Sequence, residues 1–236
     1  MFSATKNIVR LSLFQPNCRI CSALILTKEE SVICSDCRRK IIIADLPRCP
    51  ICGTFVGRLN RICGACRLKR PPFLKHRSFA PYQDTLKDLI RLYKYGQVKP
   101  LGRLLTAFYL ELFCHQVSEK IDAIVPVPAD RNRRREFQPV GEMAARLSRK
   151  LHLPLLTGAL RKVRSTPLQA GLPYRLRLSN LNRAFKLVRP DQVRGRTLLL
   201  LDDVRTTGTT IRQCAAALRR GGATVIALTL AQTPRR

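Results

Sequence analysis

Eight of the ten cysteines fall in four Cys-x-x-Cys pairs: Cys18/Cys21, Cys34/Cys37, Cys49/Cys52 and Cys63/Cys66. Twelve residues separate the first two pairs and ten the last two. A Cys-x-x-Cys turn sets two thiolates on one side of a metal, and two such knuckles close a tetrahedron. Eight thiolates therefore suit two structural Zn²⁺ ions, each fully ligated and without an open position for a catalytic water. We expect sequential ligand sets, the first two pairs on one ion and the last two on the other. Spacing alone also permits a crossed arrangement, first with third and second with fourth. The segments between pairs are too short to bury a core, so metal binding must supply folding free energy, and the cysteine-rich part is expected to unfold independently of the rest. No thioredoxin-like unit surrounds the pairs. Cys114 and Cys214 lie on apolar faces of predicted helices and read as small core residues.

A second stretch carries chemistry. Leu198-Leu199-Leu200-Leu201 runs into Asp202-Asp203-Val204-Arg205-Thr206-Thr207-Gly208-Thr209-Thr210. A buried strand ending in two carboxylates is followed by a Thr/Gly turn and a helix. In a parallel α/β sheet, ligands bind beyond the carboxyl ends of the strands. Backbone N–H groups at a helix start, aided by Thr206, Thr207, Thr209 and Thr210, favour a phosphate. Gly208 lets the backbone approach it closely. Asp202 and Asp203 suit the vicinal hydroxyls of a ribose, so the stretch describes a site for a ribose 5-phosphate group. A Walker B strand would need a Gly-Lys partner motif, and the chain contains no Gly-Lys dipeptide and no Gly-x-Gly.

These groups must be positioned by a fold. The chain has 236 residues, of which 45% are apolar, which excludes a fully disordered chain and suits one ordinary domain plus a small one. Composition changes at Pro71-Pro72. We expect an N-terminal segment over 1–15, a cysteine-rich part over 16–72 and an α/β domain over 73–236. Apolar spacing predicts helices around Leu86–Tyr93 (capped by Asp84), Leu101–Phe113, Val140–Leu151 and Thr209–Arg220, the last stopped by Gly221-Gly222. Strands are expected over Ile121–Val127, Thr197–Leu201 and Thr224–Leu230, with a loop over Arg161–Ser179. Strands alternating with helices give a parallel sheet covered by helices on both faces.

The net charge is +29, from 44 Lys and Arg against 15 Asp and Glu, and it is spread over both parts of the chain. It predicts anionic partners such as nucleic acid or phosphates. Arg131, Arg133, Arg134 and Arg135 form the densest cluster and follow a strand, so with Asp130 they should rim the phosphate site, facing a diphosphate or a nucleic-acid backbone. Tyr82, Tyr93, Tyr95 and Phe137 are candidates for stacking on bases, or core residues. His76, His115 and His152 read as structural. No secretory signal or membrane span is apparent, so we expect a cytoplasmic protein without membrane insertion, in which paired cysteines bind metal.

The Asp202–Thr210 stretch resembles the phosphoribosyl diphosphate (PRPP) signature of type I phosphoribosyltransferases. The whole chain, over roughly residues 16 to 232, is similar to the ComF family of competence-associated proteins, in which a double zinc ribbon precedes a phosphoribosyltransferase-like domain. The resemblance rests on the four cysteine pairs, Pro71-Pro72, Ile124-Val125-Pro126-Val127-Pro128, Arg164, Thr166, Pro167 and Gln169, then Leu172, Arg177, Asn180 and Ala184-Phe185, and the signature itself. It implies that Asp202 and Asp203 hold ribose hydroxyls and that Thr206 to Thr210 wrap the 5-phosphate. It further implies that Asp130 and Arg131 meet the diphosphate and that the segment with Arg164, Gln169 and Arg177 forms a mobile hood. Mg²⁺ would arrive with the diphosphate.

The expected function is that of a ComF-like protein binding PRPP or a related phosphoribosyl ligand, and single-stranded DNA, in natural competence. Competence proteins of the DNA-uptake helicase or transport machinery are candidate partners. The alternative is a working transferase that moves ribose 5-phosphate from PRPP to a nitrogen nucleophile. Purine phosphoribosyltransferases place an acidic residue where Thr206 stands, and no catalytic base is assigned here.

Overall fold

The computed structural model describes residues 17–25, 32–41, 47–129, 137–163 and 184–234. The first two described segments and the third's beginning hold two copies of one small unit. In each, a knuckle turn is closed in the same way: Cys18 N–H donates to Ala23 O (2.8 Å) and Ser22 N–H to Cys18 O (2.9 Å), while Cys49 N–H donates to Thr54 O (2.8 Å) and Gly53 N–H to Cys49 O (2.9 Å). Antiparallel bridges Asn17–Leu24 and Arg48–Phe55 flank the two turns. In each, the next pair opens a short helix, α1 (Ser35–Arg39) or α2 (Gly64–Leu68), with Cys34 or Cys63 at the N-cap.

The larger part is a four-stranded, all-parallel sheet in the order β1 (Lys75–Pro81), β6 (Thr224–Gln232), β5 (Thr197–Arg205), β2 (Ala123–Pro126). Leu155 adds a parallel bridge beside Ile124 at the β2 edge. β5 is central, and Leu198 to Leu201 are completely buried. Strand alternation sends Leu199 and Leu201 into one core, shared with α3 (Asp84–Lys94), α4 (Leu101–Gln116) and α5 (Pro139–Leu151). Leu198 and Leu200 enter the other, shared with α6 (Thr209–Arg220). The expected fold class holds: a parallel sheet with helices on both faces, preceded by two cysteine-rich units.

Several local expectations change. Asp84 is the first helical residue and Gln83 the cap, with Asp84 at φ 43°. β5 does not end at the aspartates but runs through them to Arg205. Cys214 is buried as expected, whereas Cys114 is exposed. β1 was not visible as a strand, because Lys75-His76-Arg77-Ser78 is polar throughout. Leu160–Lys162 forms β3, an antiparallel partner of β4 (Phe185–Leu187), at the start of the expected loop, the rest of which lies outside the described residues.

The cysteine-rich part is not separate from the sheet. Buried Cys18, Cys34 and Cys37 join the first core, and Cys49, Cys52, Cys63 and Cys66 the second. The second unit is also hydrogen-bonded to the strands. Fully buried His76 of β1 places Nδ1 3.1 Å from Cys52 O and Nε2 3.0 Å from Thr229 Oγ1 of β6. A carbonyl only accepts, so Nδ1 carries the proton and Thr229 donates to Nε2. Arg77 donates to Pro50 O (2.9 Å) and Arg48 to Ser78 O (2.7 Å). These contacts argue against independent unfolding of the second unit. Cys49→Ser should lower the main melting transition of the sheet by roughly 4–8 °C, the shift for about 2 kcal/mol in a chain of this size. Calorimetry and near-ultraviolet circular dichroism would read it. An unchanged sheet transition would show that the second unit contributes nothing to the domain.

Candidate functional site

The four sulphurs of Cys18, Cys21, Cys34 and Cys37 lie within 4.8 Å of one another, as do those of Cys49, Cys52, Cys63 and Cys66. The ligand sets are therefore sequential. Cys21 and Cys34 sulphurs are 3.6 Å apart, and so are those of Cys52 and Cys63. A tetrahedral ion with Zn–S bonds near 2.3 Å requires sulphur separations of about 3.8 Å. Backbone amides point at the sulphurs, Ile20 N to Cys18 Sγ, Cys37 N to Cys34 Sγ and Cys63 N to Cys49 Sγ, each at 3.5 Å, which steadies thiolates. At Cys52, burial opposes ionisation, but hydrogen bonds from Thr54 and the Arg205 charge outweigh it and bring the thiol down to about 6. Both sets fit Zn²⁺.

The second candidate centre lies at the carboxyl end of β5. The two aspartates do different jobs. Asp203 accepts an ion pair from Lys94 Nζ at the end of α3, at 2.5 Å. Asp202 Oδ1 instead accepts from the Asp203 N–H at 3.0 Å, and its backbone carbonyl accepts from buried Tyr109 of α4. Burial pushes the Asp202 carboxyl up, the Asp203 charge adds to this, and Lys94 and the Asp203 N–H offset only part, leaving it at about 8. Lys94 is held above its ordinary range because the attraction of Asp203 exceeds the cost of burial.

Beyond the aspartates the chain turns at Gly208, with φ 77° and ψ 7°, a left-handed conformation that favours glycine, and enters α6. Thr207 and Thr209 hydroxyls are 2.8 Å apart, and Thr209 N–H reaches Thr207 Oγ1 at 3.3 Å. Gly208 provides no side-chain cap, so, Thr209 N–H apart, the first-turn amides of α6 can meet a phosphate or water. Beneath the turn lies the Arg205 side chain, in a residue only 4% exposed. Its Nη1 donates to Cys52 O (3.0 Å), Thr54 Oγ1 (3.2 Å) and Gln232 Oε1 (2.7 Å). A Cβ on Gly208 would stand 2.7 Å from Arg205 Nε.

Asp202, Asp203, Thr206, Thr207, Gly208, Thr209 and Thr210 are thus brought together on β5, one turn and the start of α6. Asp130, Arg131, Arg133, Arg134 and Arg135, and Arg164, Gln169 and Arg177, lie outside the described residues. Of the stacking candidates, Tyr93 is buried against Phe137 edge-on at 4.9 Å, Tyr82 is half-buried, and Tyr95 is 62% exposed. Lys94, Tyr109 and Arg205 were not singled out from sequence. Lys94 reads as an ordinary cation in the last turn of a helix. Arg205 left a usable signal, since a charge inside a buried strand needs partners. Among the described residues, no group of three carboxylates or histidines could cage a second kind of metal.

The cysteine sets have a counterpart among known families. Residues 10–67 match a family model described as a double zinc ribbon domain. The DNA utilization protein YhgH of Escherichia coli K12 is 35% identical over 200 residues, 82% of this chain and 87% of the relative. Competence protein F of Haemophilus influenzae is 31% identical over 80% of this chain and 85% of its own. Competence protein ComFC of Streptococcus pneumoniae is 26% identical over 86% and 88%. Among solved structures, Leishmania donovani UMP synthase aligns with 59% of this chain (20% identity, TM-score 0.35). The glutamine PRPP amidotransferase of B. subtilis aligns with 54% (20% identity, TM-score 0.34). This chain spans 24% of each of those larger proteins. With paired Cys₄ sets ahead of a parallel sheet, and relatives at this identity over most of its length, the chain belongs to the ComF family of DNA utilization and competence proteins.

Proposed function

We propose that the β5 end binds PRPP or a related phosphoribosyl ligand, and that the basic surface handles single-stranded DNA in competence. The observation that carries the reading is the left-handed Gly208 turn between two aspartates and the uncapped start of α6. It offers carboxylate acceptors for ribose hydroxyls on one side and amides with Thr hydroxyls for a 5-phosphate on the other. Mg²⁺ would come on the diphosphate. The Asp130–Arg135 cluster would rim the diphosphate, and the segment with Arg164, Gln169 and Arg177 would close over it.

Turnover is the less supported use of this site. Thr206 is exposed and has no group able to take a proton from a nitrogen nucleophile. The DNA part rests on charge. Eight thiolates and two Zn²⁺ contribute −8 + 4 = −4, so +29 becomes +25 in the loaded protein. No described helix is long and apolar enough to cross a membrane. We place the protein in the cytoplasm, where thiols stay reduced for zinc and DNA-uptake proteins are at hand as partners.

Calorimetric titration of PRPP with Mg²⁺ tests the site. Asp202→Asn and Asp203→Asn should each weaken binding roughly ten- to a hundredfold, the loss of one charge-assisted bond of about 1.5–3 kcal/mol. Asp202→Asn should not lower the melting temperature of the free protein, whereas Asp203→Asn, which deprives Lys94 of its partner, should lower it. Equal binding by both variants would remove the aspartates from the site.

The Asp202 carboxyl also sets a pH dependence. Its folded pKa, at about 8, lies above its ordinary value of 3.8. A carboxyl raised on folding stabilises fully below its ordinary value, and that contribution is lost as pH rises towards 8. The free protein should therefore melt lower at pH 8 than at pH 5.5, and Asp202→Asn should flatten this trend. Ribose hydroxyls prefer the ionised acceptor, so ligand affinity should rise over the same interval with proton release, measured by titration in buffers of different ionisation enthalpy. Affinity that falls with pH would contradict this assignment. DNA binding should weaken steeply with salt and vary little with sequence; a salt-insensitive, sequence-specific footprint would exclude it.

A further inference from the structure

We propose that Arg205 is a positioning residue that couples the second zinc set to the Thr206–Thr210 turn, so that this zinc and the ligand at the turn stabilise one another. The proposal rests on the phosphoribosyl reading for the ligand's identity, but not for the coupling itself. One guanidinium spans the two centres. Its Nη1 is bonded to the carbonyl of a metal-set cysteine, Cys52, and to Thr54 just beyond it. Its Nε faces the position where any side chain on Gly208 would have to stand. Gln232 at the end of β6 holds the same nitrogen at 2.7 Å, which fixes the fork from the sheet side.

Cys52 is itself pinned. Its carbonyl also accepts from buried His76, and Gly53 behind it has φ 67°, with His76 O only 2.8 Å from where a Cβ would lie. The knuckle therefore cannot shift without moving β1 or Arg205. A metal that fixes the Cys52 knuckle fixes the Arg205 fork, and the fork supports the turn whose amides would meet the phosphate. The hydrogen bonds described around the first set, Arg19 N–H to Val32 O and the amides on Cys18 and Cys34 Sγ, stay within its own unit, and its buried Cys18, Cys34 and Cys37 join the core that does not contain Cys52.

Hydrogen–deuterium exchange of the full chain tests the coupling without a ligand. Cys63→Ser, which opens the second set, should speed exchange at Thr206–Thr210 by about tenfold, whereas Cys34→Ser, in the first set, should leave it unchanged. Arg205→Lys should speed the turn by itself, and adding Cys63→Ser to it should add less than about twofold, the non-additivity of two changes on one path. Exchange in α4 serves as the control for folding. Arg205→Met is read beside Arg205→Lys only if α4 stays protected. The coupling is overturned if Cys63→Ser leaves the turn unchanged, if Cys34→Ser acts equally, or if the two effects add.

A second arm uses PRPP with Mg²⁺ as the probe and follows zinc release to a chromophoric chelator. The ligand should slow loss of one of the two ions from the parent and not from Arg205→Lys. PRPP that binds the parent without slowing zinc loss refutes the coupling and leaves the phosphoribosyl reading standing. PRPP that does not bind refutes that reading, and the exchange result then decides the coupling.

Discussion

A parallel sheet has to be covered on both faces. Among the described residues, three helices, α3, α4 and α5, lie over one face, while α6 and the β3–β4 pair are the regular elements of the sheet domain over the other. Part of the cover on that second face is the second cysteine unit, whose Cys49, Ile51, Cys52, Cys63 and Cys66 are buried in the same core as Leu198 and Leu200. Parallel strands buried on both faces have no tolerance for an uncovered side. A metal that folds fewer than twenty residues between Cys49 and Cys66 therefore also completes the core of the larger domain. That dependence explains why buried polar groups such as His76 and Arg205 occur at this junction: a second unit docked on strands leaves backbone carbonyls that need donors.

The same constraint shapes the β5 end. A strand with four completely buried leucines cannot place carboxylates until it leaves the core, and it does so at Asp202. Even there Asp203 remains buried enough to need Lys94. Leu218, Ile211 and Cys214 anchor α6 against the second core, so its N-terminal turn is held by packing at a fixed distance from the strand end. The turn can then stay uncapped by side chains and open to a ligand, since helix stability comes from the buried face and not from the cap.

Much of this was legible in the sequence where one local rule decided the outcome. Cysteine spacing gave two Cys₄ sets but left sequential and crossed pairing open until the sulphurs were placed, apolar periodicity gave α4, α5 and α6, and the four leucines gave β5. The losses occurred where tertiary partners overrode local pattern. β1 reads Lys-His-Arg-Ser, and a fully buried histidine is satisfied there by two distant partners, Cys52 O of the second cysteine unit and Thr229 of β6. Lys94 sits at a helix end, where cations are ordinary, and nothing local says that a strand 109 residues later presents Asp203 to it. The two aspartates looked equivalent as neighbours in sequence, yet successive strand positions meet different surroundings, which gave one a lysine and raised the other's carboxyl by burial.

That inequality resolves an electrostatic problem at the site. Two adjacent carboxylates would repel a phosphorylated ligand if both carried their charge at neutral pH. Here the Asp203 charge is matched by Lys94 at 2.5 Å, and the Asp202 carboxyl, at about 8, is mostly protonated at pH 7. With burial and the Asp203 charge raising Asp202 and Lys94 facing Asp203, little net negative charge stands at the strand end of a protein of net charge +29. Under the phosphoribosyl reading proposed above, the hydroxyls of a ribose would favour an ionised acceptor, so the proton on Asp202 would leave only once the phosphate was held by the turn. Attraction of the anion and recognition of the sugar, which place opposite demands on the same two residues, would then be separated in order of binding.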